Sequence, residues 1–299
     1  MDEDFAIQTS ELTKYYGEHA AVAGLDLSVA SGCAFGLLGP NGAGKSTTIQ
    51  MLLGLTSPTS GRATVLGKDV AREARSIRAE AGYVPERHYI YAWMTVGEVI
   101  RFTRAFYATW NDALCDRLLN RYDLDTGKKV KHLSHGMVTK LALLLALAHE
   151  PRILILDEPT SGLDPLIREE FNESILERMK EDGRTVLFSS HILSDVDKVA
   201  DTIGILSQGR LLITSPRAEL VRLTKRIEVT LTETHGSPVP PAGTVWQCLR
   251  GNNWSLTVHG FSDSTMEELH AKNTAVQSRV LDMGLEEIFK DFVRGNEQP

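Results

Sequence analysis

Nine consecutive residues carry the strongest chemical signal in the chain: Gly39, Pro40, Asn41, Gly42, Ala43, Gly44, Lys45, Ser46 and Thr47. They fit G-x-x-x-x-G-K-[ST], a phosphate-binding loop. Glycine has no Cβ, so the backbone can wrap an anion with successive N–H groups pointing inward. A helix beginning at Lys45 adds the positive end of its dipole. In that arrangement Lys45 reaches the β- and γ-phosphates of a nucleoside triphosphate, and the Ser46 hydroxyl ligates Mg²⁺.

A second signal lies 112 positions after Lys45, where the apolar run Ile153 to Leu156 ends in Asp157 and Glu158. A buried strand that ends in two carboxylates sets both at a strand's C-terminal edge, where α/β proteins bind ligands. There Asp157 holds Mg²⁺ through water, and Glu158 polarises an attacking water as general base. Such a pair alone is common at solvated strand ends. Its specificity comes from the phosphate loop.

Three segments must position these groups. Ala34 to Leu38, Ile153 to Leu156 and Thr185 to Ser189 are short and apolar on both faces. Strands of this kind belong to a sheet covered by helices on both sides. The pattern predicts a helix from Lys45 to about Leu53 and a mainly helical stretch from about Met94 to His149. The fold class expected is therefore α/β.

Further short motifs follow the same order as a known family. They are Tyr16 before Gly17, with Tyr15 as a second choice; Tyr83-Val84-Pro85-Glu86; Leu133-Ser134-His135-Gly136-Met137; Glu158 to Pro165; and Ser189-Ser190-His191. With the phosphate loop, they make residues 5–215 resemble the nucleotide-binding subunit of an ATP-binding-cassette (ABC) transporter. The resemblance implies a P-loop ATPase core with a helical subdomain at about 92–149. It implies ATP and Mg²⁺ as ligands, with Tyr16 stacked on adenine and His191 as the switch histidine at the γ-phosphate. Glu86 takes the Q-loop position, beside Mg²⁺ or its waters. Ser134 and Gly136 belong to the signature sequence and Asp164 to the D-loop.

The resemblance also implies partners: a second nucleotide-binding subunit, the same chain or a sister, and separate transmembrane permease subunits. Each ATP lies between the phosphate loop of one chain and the signature of the other. Two departures stand out. The Q-loop usually carries glutamine where this chain has Glu86, and the signature usually reads Leu-Ser-Gly-Gly-Gln where this chain has His135 and Met137. These departures resemble the drug- and antibiotic-export group. Relatives that act in translation carry two cassettes in tandem, and those in DNA repair carry long coiled coils. A scaffold that has lost hydrolysis is the remaining alternative, against which Glu158 and His191 stand.

The chain has 299 residues, enough for one large or two modest domains. Its net charge of −7, from 32 Lys and Arg against 39 Asp and Glu, argues against nucleic acid as a partner. The longest apolar run, Leu141 to Ala148, is far shorter than a membrane span and reads as the core face of a helix starting at the signature. The acidic start, Met1 to Phe5, does not resemble a signal peptide. A cytoplasmic protein, peripheral on the membrane through its permease, is expected. Cys33, Cys115 and Cys248 have no metal-type spacing and read as packing residues.

From Pro216 onward the texture changes, predicting a small α+β domain at 216–299. Arg226 to Glu233, Thr244 to Leu249 and Trp254 to His259 read as strands. Asp263 to Asn273, capped by Asp263 or Ser264, and Leu285 to Arg294 read as amphipathic helices. All the nucleotide motifs precede this segment, which points to a regulatory or dimer-supporting role.

Overall fold

The computed structural model describes residues 5–232, 238–273 and 275–297. The expected loop from Gly236 to Pro241 lies partly outside them. The chain divides into two compact units, 1–211 and 212–299. The first unit begins with β1 (Phe5–Tyr16), β2 (His19–Leu25), β3 (Ser28–Ala30), β4 (Ala34–Leu38), α1 (Lys45–Leu52), β5 (Ser60–Val65), β6 (Lys68–Asp69), α2 (Val70–Glu80) and β7 (Ala81–Val84). It continues through α3 (Val96–Arg104), α4 (Asp112–Arg121), α5 (His135–Leu147), β8 (Ile153–Asp157), α6 (Pro165–Asp182), β9 (Thr185–Ser190), α7 (Leu193–Val199) and β10 (Thr202–Ser207). The division between the units falls inside β11 (Arg210–Pro216).

The central sheet has the order β11-β10-β4-β9-β8-β7, and from β10 to β7 all its strands are parallel. Every residue of β4, β8 and β9 is buried, so both faces of these strands are covered. The parallel order brings the C-terminal ends of β4, β8 and β9 side by side. The phosphate loop, Asp157 with Glu158, and His191 leave from those three ends. The packing of the sheet thus assembles groups that lie more than a hundred positions apart in the chain.

A second sheet is antiparallel, with the order β2-β1-β5-β6 and β3 paired to β1. It has no counterpart in the sequence reading. The reason is visible in β1: its register slips between Leu12 and Lys14 and again between Lys14 and Tyr15, which breaks the alternation a half-buried strand should show. Its ends supply Tyr16 and the chain around Ala21 to the site. The helical stretch is three helices, α3, α4 and α5. Helix α5 starts where Ser134 Oγ accepts from the Met137 N–H, and Leu141, Leu143, Leu144 and Leu147 are buried along it.

The second unit contains α8 (Arg217–Leu223), β12 (Thr224–Leu231), β13 (Thr244–Arg250), β14 (Asn253–His259), α9 (Asp263–Lys272), β15 (Ala275–Asp282) and α10 (Leu285–Glu297). Its antiparallel sheet runs β13-β14-β12-β15. Ile227, Val229, Leu231, Trp254, Leu256, Val258 and Leu269 form its core. The cap of α9 is Ser262, which shares a capping box with Thr265, in place of the expected Asp263 or Ser264. Leu285, Ile288 and Phe292 of α10 are buried at helical spacing, and Phe289 is half-buried.

Candidate active site

A cavity of about 560 Å³ gathers Tyr16, the loop from Asn41 to Thr47, Glu86, Glu158 and His191. Two glycines shape the loop differently. Gly44 has φ +104°, and a Cβ there would lie 2.3 Å from the Ala21 carbonyl oxygen. Gly42 has φ +80° with open space around it, so only its backbone conformation demands glycine. A Cβ on Gly39 would lie 2.5 Å from the Leu206 carbonyl oxygen. Helix α1 has no side-chain cap and no acidic residue in its first turn. Its N-terminal N–H groups and positive dipole end are left for an anion.

Lys45 is buried, and its ammonium donates to the carbonyls of Gly39 at 2.7 Å and Pro40 at 3.2 Å. It also pairs with Glu158 Oε1 at 3.0 Å. The other carboxylate oxygen, Oε2, faces His191 Nδ1 at 2.7 Å and accepts from the His191 backbone N–H at 3.3 Å. Glu158 has φ +47°, a costly conformation for a residue with a long side chain. Its backbone N–H donates to Ser189 Oγ at 2.9 Å.

The same Ser189 hydroxyl donates to Asp157 Oδ1 at 2.8 Å, and Ser46 Oγ donates to that oxygen at 3.0 Å. Burial pushes the Asp157 carboxyl above the ordinary aspartate range. The hydrogen bonds from Ser189 and Ser46 pull it back down, and the charges of Glu158 and Glu86 raise it again. Tyr16 is half exposed on the cavity wall, with the Lys14 ammonium 5.1 Å from its ring centre. Tyr15 does not line the cavity.

A sequence model of the ABC transporter family matches residues 22–161. The bacitracin transport ATP-binding protein BcrA of Bacillus licheniformis is 36% identical over 236 residues, spanning 78% of this chain and 77% of that protein. This chain belongs to the ABC transporter ATP-binding proteins. Nod factor export ATP-binding protein I of Rhizobium meliloti is 41% identical over 213 residues, spanning 69% of this chain and 62% of that one. A solved ATP-binding subunit of an ABC transporter superposes with a TM-score of 0.66 at 30% identity, covering 73% of this chain and 92% of that one. As an ABC ATPase the chain binds and hydrolyses ATP.

Ser161 of the Glu158 to Pro165 run also lines the cavity, whereas Ser134, Gly136 and Asp164 of this ABC subunit do not. Ser134 is exposed at the start of α5, and Gly136 packs on Ile167, where a Cβ would lie 2.6 Å from Cδ1. Asp164 Oδ1 accepts from the Ile167 N–H at 3.1 Å in the first turn of α6. His135 Nε2 lies 3.4 Å from the Ser161 carbonyl, and its ring stacks on His88 with centroids 6.2 Å apart. Burial holds His88 near a pKa of about 4, and its Nε2 bonds Thr139 Oγ1 at 3.0 Å. His135 therefore links the signature helix to the segments carrying Ser161 and His88.

Sequence reasoning also missed two supports. Ser189 bridges Asp157 and Glu158, and only its place two residues before His191 hinted at it. Asp195 is buried, accepting from Thr160 Oγ1 at 2.6 Å and Asn172 Nδ2 at 3.1 Å, and so anchors the chain just after Glu158. No local pattern marks Asp195 out.

Proposed function

We propose that this chain powers export through separate transmembrane subunits, and that Glu158 is the base of its ATPase. The observation that carries the reading is Glu158 held between Lys45 and His191, facing a glycine-lined anion cradle. The phosphate-loop N–H groups and Lys45 bind the β- and γ-phosphates. Tyr16 takes the adenine. Water attacks the γ-phosphorus, its proton goes to Glu158, and ADP is the leaving group. His191 orients the Glu158 carboxylate and stabilises the charge on the departing phosphate.

The donors around Ser46 and Asp157 suit Mg²⁺. They are hard oxygens, a hydroxyl and a carboxylate already in contact. Among the described residues no three His, Cys, Asp or Glu side chains converge as metal ligands. Ser46 and Asp157, with Glu86 on the cavity wall, are the residues that would hold the ion. Bound there, Mg²⁺ would neutralise charge on the phosphates.

Ser134, Gly136 and Asp164 lie outside the cavity of their own chain, which supports a head-to-tail dimer in which they serve the partner's ATP. Among the described residues no helix is long and apolar enough to cross a membrane. The permease contact has a seat in a groove of about 330 Å³ lined by Leu53, Leu55, Tyr83, Tyr89 and Leu145, with Tyr89 87% exposed. An apolar, aromatic-lined groove next to Glu86 suits a helix from a membrane subunit. The chain would then sit on the cytoplasmic face of the membrane. Export is the direction because the relative from Rhizobium meliloti is named for it.

Mixing variants tests the dimer. Lys45→Ala chains combined with Ser134→Arg chains should leave one intact site per heterodimer and regain ATPase activity that neither homodimer shows. An ATP-dependent crosslink from position 134 to the partner's phosphate loop should appear. A crosslink confined within one chain would overturn the arrangement.

A further inference from the structure

The C-terminal unit has a cavity of about 690 Å³ on one face of its sheet, lined wholly by residues of that unit. Strand register builds it in rows. Arg279, Glu228, Ser255 and Cys248 stand opposite one another across β15, β12, β14 and β13 and so share a face. The next row on that face holds Gln277, Thr230, Asn253 and Arg250. On the other side lies the row with Arg226, Thr257 and Trp246, and α10 covers it. Buried Asp291 of α10 pairs with Arg226 and accepts from Thr257 Oγ1 at 2.6 Å.

The two uncovered rows are the cavity. Its rim is completed by Arg294 from the last turn of α10. That turn lies directly on β13, because a Cβ at Gly295 would fall 1.7 Å from the Val245 carbonyl oxygen. Trp246 forms a side wall, with the Arg226 guanidinium 5.1 Å from its ring centre.

Charge decides what the cavity takes. Arg250, Arg279 and Arg294 line it against one carboxylate, Glu228, an excess of two positive charges. Arg226 has Asp291, whereas among the described residues none of those three arginines has an ion-pair partner. Guanidinium forks match phosphate and carboxylate oxygens and bind them in pairs. Arg250 and Arg279 are on opposite edge strands, three strand spacings or roughly 14 Å apart at the backbone. Two long guanidinium side chains can converge on one dianion across that span, and a planar body adds a contact with Trp246 that a lone inorganic ion lacks. We propose that this cavity binds a soluble organic phosphate monoester, its dianion held by the arginines and a planar body set against Trp246. The proposal stands independently of the transport reading.

Calorimetry on the full chain tests it, with the phosphate-loop cavity saturated by a non-hydrolysable ATP analogue. The probe is 1-naphthyl phosphate, with inorganic phosphate and neutral 1-naphthalenemethanol alongside. Saturable binding of 1-naphthyl phosphate is expected, at least tenfold tighter than either control. Arg250→Ala with Arg279→Ala should weaken it at least tenfold, and Trp246→Leu should weaken the ester but not inorganic phosphate. Arg250 and Arg279 are exposed, so the double variant should keep the parent circular dichroism. Arg294→Ala alone supplies an independent variant, expected to weaken the ester severalfold. No saturable binding, equal binding of the neutral probe or of inorganic phosphate, or affinity unchanged in the arginine variants would overturn the proposal.

Discussion

The ammonium of Lys45 lies 3.0 Å from the Glu158 carboxylate, with both side chains buried. The group proposed to bind phosphate and the proposed base are therefore electrostatic partners. Lys45→Ala removes the cation from the cradle and leaves Glu158 Oε2 against His191 Nδ1 at 2.7 Å. ATP affinity should fall at least about tenfold, roughly 1.4 kcal/mol. Fluorescent-nucleotide titration measures it, and an unchanged dissociation constant would refute the role given to Lys45.

The two loop glycines should fail for different reasons. Gly44→Ala drives a Cβ into the Ala21 carbonyl at 2.3 Å, so the loop must move and nucleotide binding should be lost. Gly42→Ala meets no atom and bears only the cost of a positive φ, about 1 kcal/mol. Its ATP affinity should stay within about tenfold of the parent. Thermal unfolding with and without ATP separates the two variants. Equal behaviour would show that steric closeness at Gly44 is not what shapes the cradle.

Asp157 should make nucleotide binding depend on pH. Burial raises its carboxyl above the ordinary range, so the folded protein holds that proton more tightly than an exposed aspartate does. Mg²⁺ requires the ionised form. The advantage of Mg-ATP over metal-free ATP should therefore be full near neutral pH and decline on acidification, starting at a higher pH than an ordinary aspartate would give. Asp157→Asn should lose that advantage at every pH. Paired titrations from pH 7.5 to 5, with Mg²⁺ and with a chelator, test this. A Mg²⁺ advantage that persists undiminished in Asp157→Asn would contradict it.

Removing residues 217–299 leaves β11 whole and takes away no residue of the nucleotide cavity. ATP affinity in the truncated chain should stay within about tenfold, or 1.4 kcal/mol. Dimer lifetime or the response to the membrane subunits should change. A truncated chain that is folded by circular dichroism yet binds no ATP would sink the idea that the segment is regulatory.

The residues that could be read from sequence are those whose meaning is local. The phosphate loop and the Asp157–Glu158 strand end each fit within ten positions, and their flanking apolar strands place them. His191 was legible through its motif, but its contact with Glu158 spans 33 positions and depends on β8 and β9 lying side by side. Ser189 and Asp195 act through buried hydrogen bonds that leave no pattern in the chain. The N-terminal sheet was hidden by the irregular register of β1. Strand β15 was hidden because Gln277, Arg279 and Val280 are exposed on an edge strand, leaving no apolar alternation to read.

The most direct test of the whole account is Glu158→Gln, measured for ATP binding and turnover in the same preparation. The amide keeps the shape of the side chain but cannot accept the proton from water. Affinity for ATP should stay close to the parent, hydrolysis should fall at least about 100-fold, and the protein should accumulate as an ATP-bound dimer. Turnover near the parent rate would contradict the assignment of Glu158 as the base.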